Sequence, residues 1–120
     1  MYKVILLFVI LSSQAWGSIG TITAAKSPGT LERADGETLS SELNTSLEME
    51  DKIETFQGGH RLEFIDETIV DMTSQSVLVI DDYVYDPANN VGSLNLKAKL
   101  GTMRYASGKL ASNFRQNVKI

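Results

Sequence analysis

Acidic side chains form the patterns in this sequence that come closest to a catalytic or metal-binding site. The candidates are Asp66-Glu67, Asp71 and Asp81-Asp82. A pair of carboxylates can hydrolyse a glycosidic bond, and several together can bind Ca²⁺. Because successive residues of a regular strand point to opposite faces, Asp81 and Asp82 are not expected to converge on one substrate. We interpret all these residues as solvated strand ends, and we predict no catalytic residue, no metal and no cofactor.

Three ring-bearing residues are the other candidates for chemistry. His60 could act as a base, but no Ser or Asp stands at a spacing that is diagnostic of a catalytic partner, and we expect its side chain to be exposed. Tyr83 and Tyr85 are two residues apart, so a strand would place them on one face. There they could stack on a sugar ring or pack against a neighbouring strand. We therefore predict a candidate ligand surface at Tyr83 and Tyr85.

Alternating apolar and polar residues predict the strands that would carry these side chains. The clearest alternation covers residues 60–87, where it predicts three strands separated by polar turns. Further strands are predicted at residues 19–24, 30–34, 51–56, 94–100 and 117–120. Residues 37–50 are expected to be a loop with short extended pieces, although their leucines, spaced four apart, would also suit a helix. Gly101 stands at a phase change in the alternation, which indicates a bulge or a sharp bend.

Length and composition indicate one globular domain with an unaided core. A chain of 120 residues accommodates one domain, and its 42% hydrophobic and 22% charged residues are ordinary for a globular protein. There is no Cys, which excludes disulfides, zinc-thiolate sites and a Cys nucleophile. A single His also excludes a His-cluster metal site. Together with the alternation, this predicts an all-β fold: a single antiparallel β-sandwich or roll of roughly eight to ten short strands.

The charged residues are unevenly distributed along the chain. All 15 Asp and Glu lie at or before Asp86, whereas six Lys and Arg and no acid follow it. The basic segment could pair with acidic neighbours across one sheet, or it could form a basic face for nucleic acid or anionic glycans. Its cations are widely spaced and have no interleaved ladder of aromatic residues. We therefore favour cross-strand pairing and predict no nucleic-acid partner.

The N-terminus predicts an export signal. A short segment containing Lys3 precedes an apolar run over residues 4–11. This run fits the hydrophobic part of a signal peptide, whereas a membrane-spanning helix needs roughly 20 residues. Small residues satisfy the cleavage rule after Gly17 and, alternatively, after Ala15. We expect cleavage after Gly17, which predicts a signal peptide over residues 1–17, no transmembrane segment, and a periplasmic or secreted mature domain over residues 18–120.

Several short motifs follow one another in a fixed order between residue 19 and residue 120. They are Asp51-Lys52-Ile53-Glu54-Thr55, Gly58-Gly59, Leu62-Glu63-Phe64-Ile65-Asp66, Ser76-Val77-Leu78-Val79-Ile80-Asp81, Tyr83-Val84-Tyr85-Asp86-Pro87 and Leu100-Gly101-Thr102-Met103-Arg104-Tyr105-Ala106-Ser107-Gly108-Lys109. Each is weak alone, but the ordered set resembles the FecR domain family. The resemblance implies a secreted or periplasmic β domain of the kind found in surface, envelope and signalling proteins, with no known reaction.

The chain departs from the family pattern in three ways. It has Asp66-Glu67 where the family usually has Asp-Gly, so the turn there must be of a type that tolerates a side chain. The Thr-Pro-rich strand and the Arg-Gly-Thr element of the family would follow Ile120, so we expect the C-terminal strand or strands of the domain to be missing. Only three residues precede the apolar run, so the anti-sigma role of the membrane-spanning founding member does not carry over.

These inferences predict a non-catalytic exported FecR-type β domain that acts as an envelope or surface interaction module and binds a protein or a cell-wall glycan. The alternative is a periplasmic signal-transduction subunit that relays the state of a ligand to a membrane partner. An acidic-dyad hydrolase is the third hypothesis, and it would require two carboxylates that converge in a cleft.

Overall fold

The computed structural model describes residues 18–120, and the predicted signal peptide over residues 1–17 lies outside the described residues. The strands of the described part are β1 (Gly20–Ala25), β2 (Gly29–Glu32), β3 (Thr38–Ser41), β4 (Ser46–Leu47), β5 (Lys52–Glu54), β6 (His60–Phe64), β7 (Ile69–Met72), β8 (Val77–Asp86), β9 (Val91–Leu100), β10 (Met103–Ala106) and β11 (Val118–Lys119). Within residues 18–120 a short helix, α1, covers Lys109–Asn113, and 3-10 turns cover Pro87–Asn89 and Arg115–Asn117.

The strands form two sheets that pack face to face. In sheet I the strand order is β10-β7-β6-β1-β4, and every pairing is antiparallel. In sheet II the order is β11-β9-β8-β5-β2-β3; β11 runs parallel to β9, and the other pairings are antiparallel. The predicted all-β sandwich is therefore confirmed. Its described part has eleven strands instead of roughly eight to ten, and one of its pairs is parallel.

The core lies between the two sheets and uses the apolar positions of the alternating pattern. In β6, for example, Leu62 and Phe64 are buried whereas Arg61 and Glu63 are exposed. Phe64 of sheet I stacks on Tyr83 of sheet II, with ring centroids 5.1 Å apart. The remaining apolar core side chains are Ile22, Leu31, Leu47, Ile53, Val70, Met72, Leu78, Ile80, Leu94, Leu96 and Leu110. Each fully buried large apolar side chain contributes about 1.5–3 kcal/mol to folding, so these residues hold the sheets together.

Residues 37–50 contain the short strands β3 and β4, which agrees with the expected loop with extended pieces. The helix α1 was not predicted. Its five residues are too few to be stable from helix propensity alone, and they are held instead by tertiary contacts of the buried Leu110. Such contacts leave no periodic signal in the sequence. No helix within residues 18–120 has the length and apolar character needed to cross a membrane.

Seven of residues 18–120 adopt a left-handed backbone conformation, two of them glycines. Gly36 has a φ of 93° in the hairpin between β2 and β3. Gly101 has a φ of 84° where the chain leaves β9 in sheet II and enters β10 in sheet I, so the predicted sharp bend is confirmed. Glu67 has a φ of 77° in the turn between β6 and β7. An L-residue pays about 1–2 kcal/mol for this conformation, which glycine adopts freely.

Candidate binding groove

The outer face of sheet I carries a row of side chains contributed by four strands. The strand register places Ala24, Arg61, Asp71 and Arg104 side by side on β1, β6, β7 and β10. Neighbouring strands lie about 4.8 Å apart, so the two arginines are separated by roughly 10 Å at the backbone, with Asp71 between them. The row thus joins residues that are distant in the sequence.

Arg61 and Asp71 form a two-point ion pair within this row. Arg61 Nε donates a hydrogen bond to Asp71 Oδ1 at 2.7 Å, and Arg61 Nη2 donates one to Asp71 Oδ2 at 3.0 Å. The hydrogen bonds from Arg61 lower the pKa of Asp71, and the same contacts raise the pKa of Arg61. Both side chains are therefore ionised at neutral pH, and the pairing fixes the orientation of the guanidinium.

Small residues leave a groove beside this row. Gly58 and Gly59 precede β6, and the Gly59 carbonyl accepts a hydrogen bond from the Lys26 N–H at 3.2 Å. A Cβ on Gly58 would come within 2.6 Å of Lys26 Cβ, and a Cβ on Gly59 would collide with the carbonyl oxygen of Met72. Close backbone approach therefore requires glycine at both positions. Together with Ala24, the glycines form a floor without long side chains.

The resulting concavity, termed the cationic groove, has a volume of about 600 Å³. Lys26, Arg61 and Arg104 supply positive charge, and Asp71 is the only carboxylate among the described residues that line it. The uncharged polar side chains in the lining are Gln57, Thr73 and Ser74. Since one carboxylate faces three cations, the groove is positively charged although the whole chain has a net charge of −4.

His60 borders the groove but is buried, so the prediction that its side chain is exposed is wrong. Only 3% of the residue is accessible. It lies on the core face of β6 because the alternation that buries Leu62 and Phe64 also buries position 60. Its Nε2 lies 2.8 Å from Ser41 Oγ, and this hydrogen bond joins the two sheets. Because Ser41 is completely buried as well, the pair is shielded from any substrate.

Tyr83 is buried to a similar extent, with 3% of the residue accessible. Its ring stacks on Phe64, and its hydroxyl donates a hydrogen bond to Asp66 Oδ1 at 2.7 Å. The pKa of Tyr83 is raised; burial is the largest cause, and the hydrogen bond to Asp66 is the second. Tyr85 is half-buried and packs against the core. The ring of Tyr83 therefore packs in the core between the two sheets. The two tyrosines do not form an exposed pair of rings that could hold a sugar.

Asp66 is a buried anchor, so its interpretation as a solvated strand end is wrong. Its Oδ2 accepts hydrogen bonds from Thr68 Oγ1 at 2.7 Å and from the Leu110 N–H at 2.8 Å. Its Oδ1 accepts the bond from Tyr83 and a longer one, at 3.3 Å, from the Thr68 N–H. One carboxylate thus ties the β6–β7 turn to β8 and to α1. No periodic pattern could have indicated these partners, which lie up to 44 residues away.

Asp51 is a second completely buried carboxylate. Its Oδ2 accepts hydrogen bonds from Arg33 Nη1 and from the Glu48 N–H, both at 2.7 Å, while its Oδ1 has no partner within residues 18–120. Burial raises the pKa of Asp51 to about 6, although the Glu48 hydrogen bond and the Arg33 charge act in the opposite direction. The side chain joins the end of β2 to the turn before β5 and is not accessible to a ligand.

The adjacent acids Asp81 and Asp82 do not converge on a common point. Asp81 Oδ2 lies 3.5 Å from Lys97 Nζ, whereas Asp82 Oδ2 accepts a hydrogen bond from Ser93 Oγ at 2.6 Å. A register shift between Ile80 and Asp82 interrupts the alternation, so the two acids lie on the same outward face between the buried Ile80 and Tyr83. The expectation that they point to opposite faces is therefore wrong, although each of them contacts a different partner. Across the described part of the chain, no three or more His, Cys, Asp or Glu side chains form a group that could hold a metal ion.

The cross-strand interpretation of the charge pattern holds for only part of the basic C-terminal segment. Lys97 on β9 pairs with Asp81 on β8. Arg104 on β10 is the register partner of Asp71 on β7. Lys97 and Lys109 are the two of the six C-terminal cations that form ion pairs among residues 18–120. Arg104 forms none within 4.0 Å and lines the cationic groove together with Lys26 and Arg61.

No protein-family model matches this chain, and neither a curated protein nor a solved structure is significantly similar to it.

Proposed function

We propose that this chain is an exported FecR-type domain that acts as a non-catalytic interaction module at the cell envelope or surface, and that the cationic groove is its binding site. The observation that carries the proposal is the groove itself. It combines cationic side chains with a floor of small residues on adjacent strands of one sheet. Sites that are built on strands hold their side chains in place before a ligand arrives. The partner is a protein or a cell-wall glycan.

The distribution of the carboxylates supports binding rather than hydrolysis. Asp51 and Asp66 are completely buried, and each accepts hydrogen bonds from internal donors. Asp81 and Asp82 contact different partners on β9. Asp71, which does line the groove, is engaged by Arg61 at both carboxylate oxygens. A hydrolase would need a pair of carboxylates that are free to face one bond from two sides.

Filling the groove without changing its charge tests the proposal. Ala24 is exposed in β1, so Ala24→Phe adds a ring to the groove floor at a strand position where aromatic residues are well tolerated. Ala106→Phe is the matched control, because Ala106 is exposed on β10 of the same sheet and lies outside the groove. Thermal unfolding followed by circular dichroism checks that both variants are folded.

Binding is measured by co-sedimentation of the purified protein with insoluble cell-wall material and, in parallel, by cross-linking to envelope proteins. We expect the wild-type protein and Ala106→Phe to bind and Ala24→Phe to lose at least about tenfold in affinity, since a blocked site forfeits its contacts. Equal binding by all three proteins would show that the groove is not the binding site.

Export is tested independently of binding. The full chain is expressed in a bacterium, and the periplasmic and medium fractions are examined by mass spectrometry of the N-terminal peptide. We expect a mature protein that begins at Ser18. Retention of the full chain in the cytoplasm would contradict the exported location but would leave the groove assignment intact.

A further inference from the structure

We infer that the ligand of the cationic groove is an anionic glycan, recognised through carboxylate or phosphate groups along its chain. This inference rests on the proposed function and makes the ligand class specific. Its first support is the composition of the groove. Lys26, Arg61 and Arg104 face one concavity, and Asp71 is the only acid among the described residues of the lining. Such a site attracts anions in an otherwise acidic protein.

The positive charges of Lys26 and Arg104 are available to a ligand because the one acid of the described lining, Asp71, is already paired with Arg61. Asp71 is held by Arg61 through two hydrogen bonds. Neither Lys26 nor Arg104 forms an ion pair with any of residues 18–120 within 4.0 Å. Elsewhere, Lys97 and Lys109 do have acidic partners. Within residues 18–120 Lys99 and Arg115 form no ion pair either, but only the groove gathers two such cations beside a third in one concavity.

The spacing of the cations favours an extended ligand over a single small ion. Arg61 and Arg104 start from strands that are two positions apart in sheet I, which is roughly 10 Å. Lys26 follows β1 on the far side of Arg61, next to the glycine floor. From β1 to β10 the row spans three strand spacings, roughly 14 Å at the backbone, which is longer than one phosphate group. A polymer with repeated anionic groups could contact them in succession, and arginine matches carboxylate and phosphate geometry particularly well.

The lining also distinguishes a glycan from a single-stranded nucleic acid. Proteins that bind single strands without sequence preference combine positive charge with aromatic side chains on which bases stack. The groove has no Phe, Tyr or Trp in its described lining, and the imidazole of His60 is buried in the core. Its uncharged members Gln57, Thr73 and Ser74 instead offer amide and hydroxyl groups, which are the usual hydrogen-bonding partners of sugar hydroxyls.

Three soluble polymers test the inference: polygalacturonate, which carries carboxylates; phosphorylated dextran, which carries phosphates; and neutral dextran. Affinities are measured by isothermal titration at low and at physiological salt, with the wild-type protein and two double variants. Lys26→Gln with Arg104→Gln removes the two unpaired cations of the groove. Lys99→Gln with Arg115→Gln removes the same charge from exposed positions outside the groove, and it is the matched control.

We expect at least one charged polymer to bind more tightly than neutral dextran, with an affinity that falls as salt rises. The groove variant should lose at least about tenfold, whereas the control should change by less than about threefold. The preferred polymer decides between carboxylate and phosphate. Equal losses in both variants, or no binding of either charged polymer, would overturn the inference.

The groove-filling variant Ala24→Phe distinguishes a wrong ligand class from a wrong binding site. If Ala24→Phe abolishes binding of a neutral polymer or of an envelope protein while Lys26→Gln with Arg104→Gln has no effect, the groove is a binding site but its ligand is not an anionic glycan. If Ala24→Phe leaves the binding of every partner unchanged, the groove is not the site, and both proposals are wrong.

Discussion

Replacing Asp66 by Ala is expected to destabilise the domain strongly. Three groups donate to its carboxylate at 2.7–2.8 Å, namely the hydroxyls of Tyr83 and Thr68 and the N–H of Leu110. All of them belong to buried residues, so water cannot replace the lost acceptor. The substitution therefore leaves three unpaired donors inside the protein and releases α1 from the β6–β7 turn.

The magnitude follows from these donors. A buried donor that loses its partner costs about 1–3 kcal/mol. Three of them would cost roughly 3–9 kcal/mol, and part of this is offset because the variant no longer has to bury a carboxylate. We expect a net loss of about 3–5 kcal/mol, compared with a total stability of ~5–15 kcal/mol for a typical domain. With a urea m-value of about 1–3 kcal/mol per M, the unfolding midpoint should fall by roughly 2 M.

Urea denaturation followed by far-UV circular dichroism measures this effect, and two further variants calibrate it. Tyr83→Phe removes two hydrogen bonds, one donated to Asp66 Oδ1 and one accepted from the Asp66 N–H, and keeps the stacked ring. It should therefore cost about 2 kcal/mol. Asp66→Asn retains one carbonyl oxygen as an acceptor and should fall between the other two. If Asp66→Ala lies within about 1 kcal/mol of the wild type, or matches Tyr83→Phe, the proposed anchoring role of the carboxylate is refuted.

Three other substitutions test separate features in the same urea assay. Asp51→Asn should remove a pH dependence: relative to this variant, the wild type should lose up to about 3 kcal/mol of stability between pH 4 and pH 7. Glu67→Gly should stabilise the domain by about 1 kcal/mol, because glycine adopts the φ of 77° at this position without strain. Gly29→Ala should cost more than about 2 kcal/mol, because the added Cβ would collide with the carbonyl oxygen of Glu54.

The direction of the Asp51 effect follows from its pKa, which rises from 3.8 in the unfolded chain to about 6 in the folded one. Between these values the folded state binds more protons, so stability is lost as the pH rises through this range. Parallel pH profiles for the wild type and Asp51→Asn would contradict this reasoning. For Glu67, the control is Glu67→Ala, which keeps a Cβ and should give no gain. For Gly29, an unchanged unfolding midpoint would show that the backbone contact is not tight.

Strands such as β6 and β7 could be predicted from the sequence because they bury every second residue, whereas β10 and the last four residues of β9 have no buried residue. β6 shows this most simply, since its buried and exposed residues alternate without exception. The order of the strands could not be predicted in the same way. Alternation shows which face of a strand is apolar but does not specify its neighbours. The change of sheet at Gly101 was visible only as a phase change, and the parallel pairing of β11 with β9 had no local signal.

Less of the candidate binding site than of the fold could be predicted from the sequence. The cationic groove exists because β10, β7, β6 and β1 are neighbours in sheet I, and this order brings Arg104 and Lys26 into one concavity. The spacing of these residues along the chain does not predict that they line the same concavity. For His60 a signal was present and was missed. Its position two residues before Leu62 places it on the core face, so strand alternation alone predicts its burial.

The buried polar groups and the groove are connected through β6. His60 and Arg61 are adjacent, so the bond between His60 and Ser41 holds the start of β6 against sheet II while the neighbouring guanidinium faces the groove. A binding site whose side chains are positioned in advance loses less conformational entropy when its ligand arrives. Substitutions at exposed groove cations should therefore lower affinity with little effect on stability, whereas His60→Leu should alter both. Affinity that is insensitive to His60→Leu in a folded protein would show that the groove does not depend on this internal support.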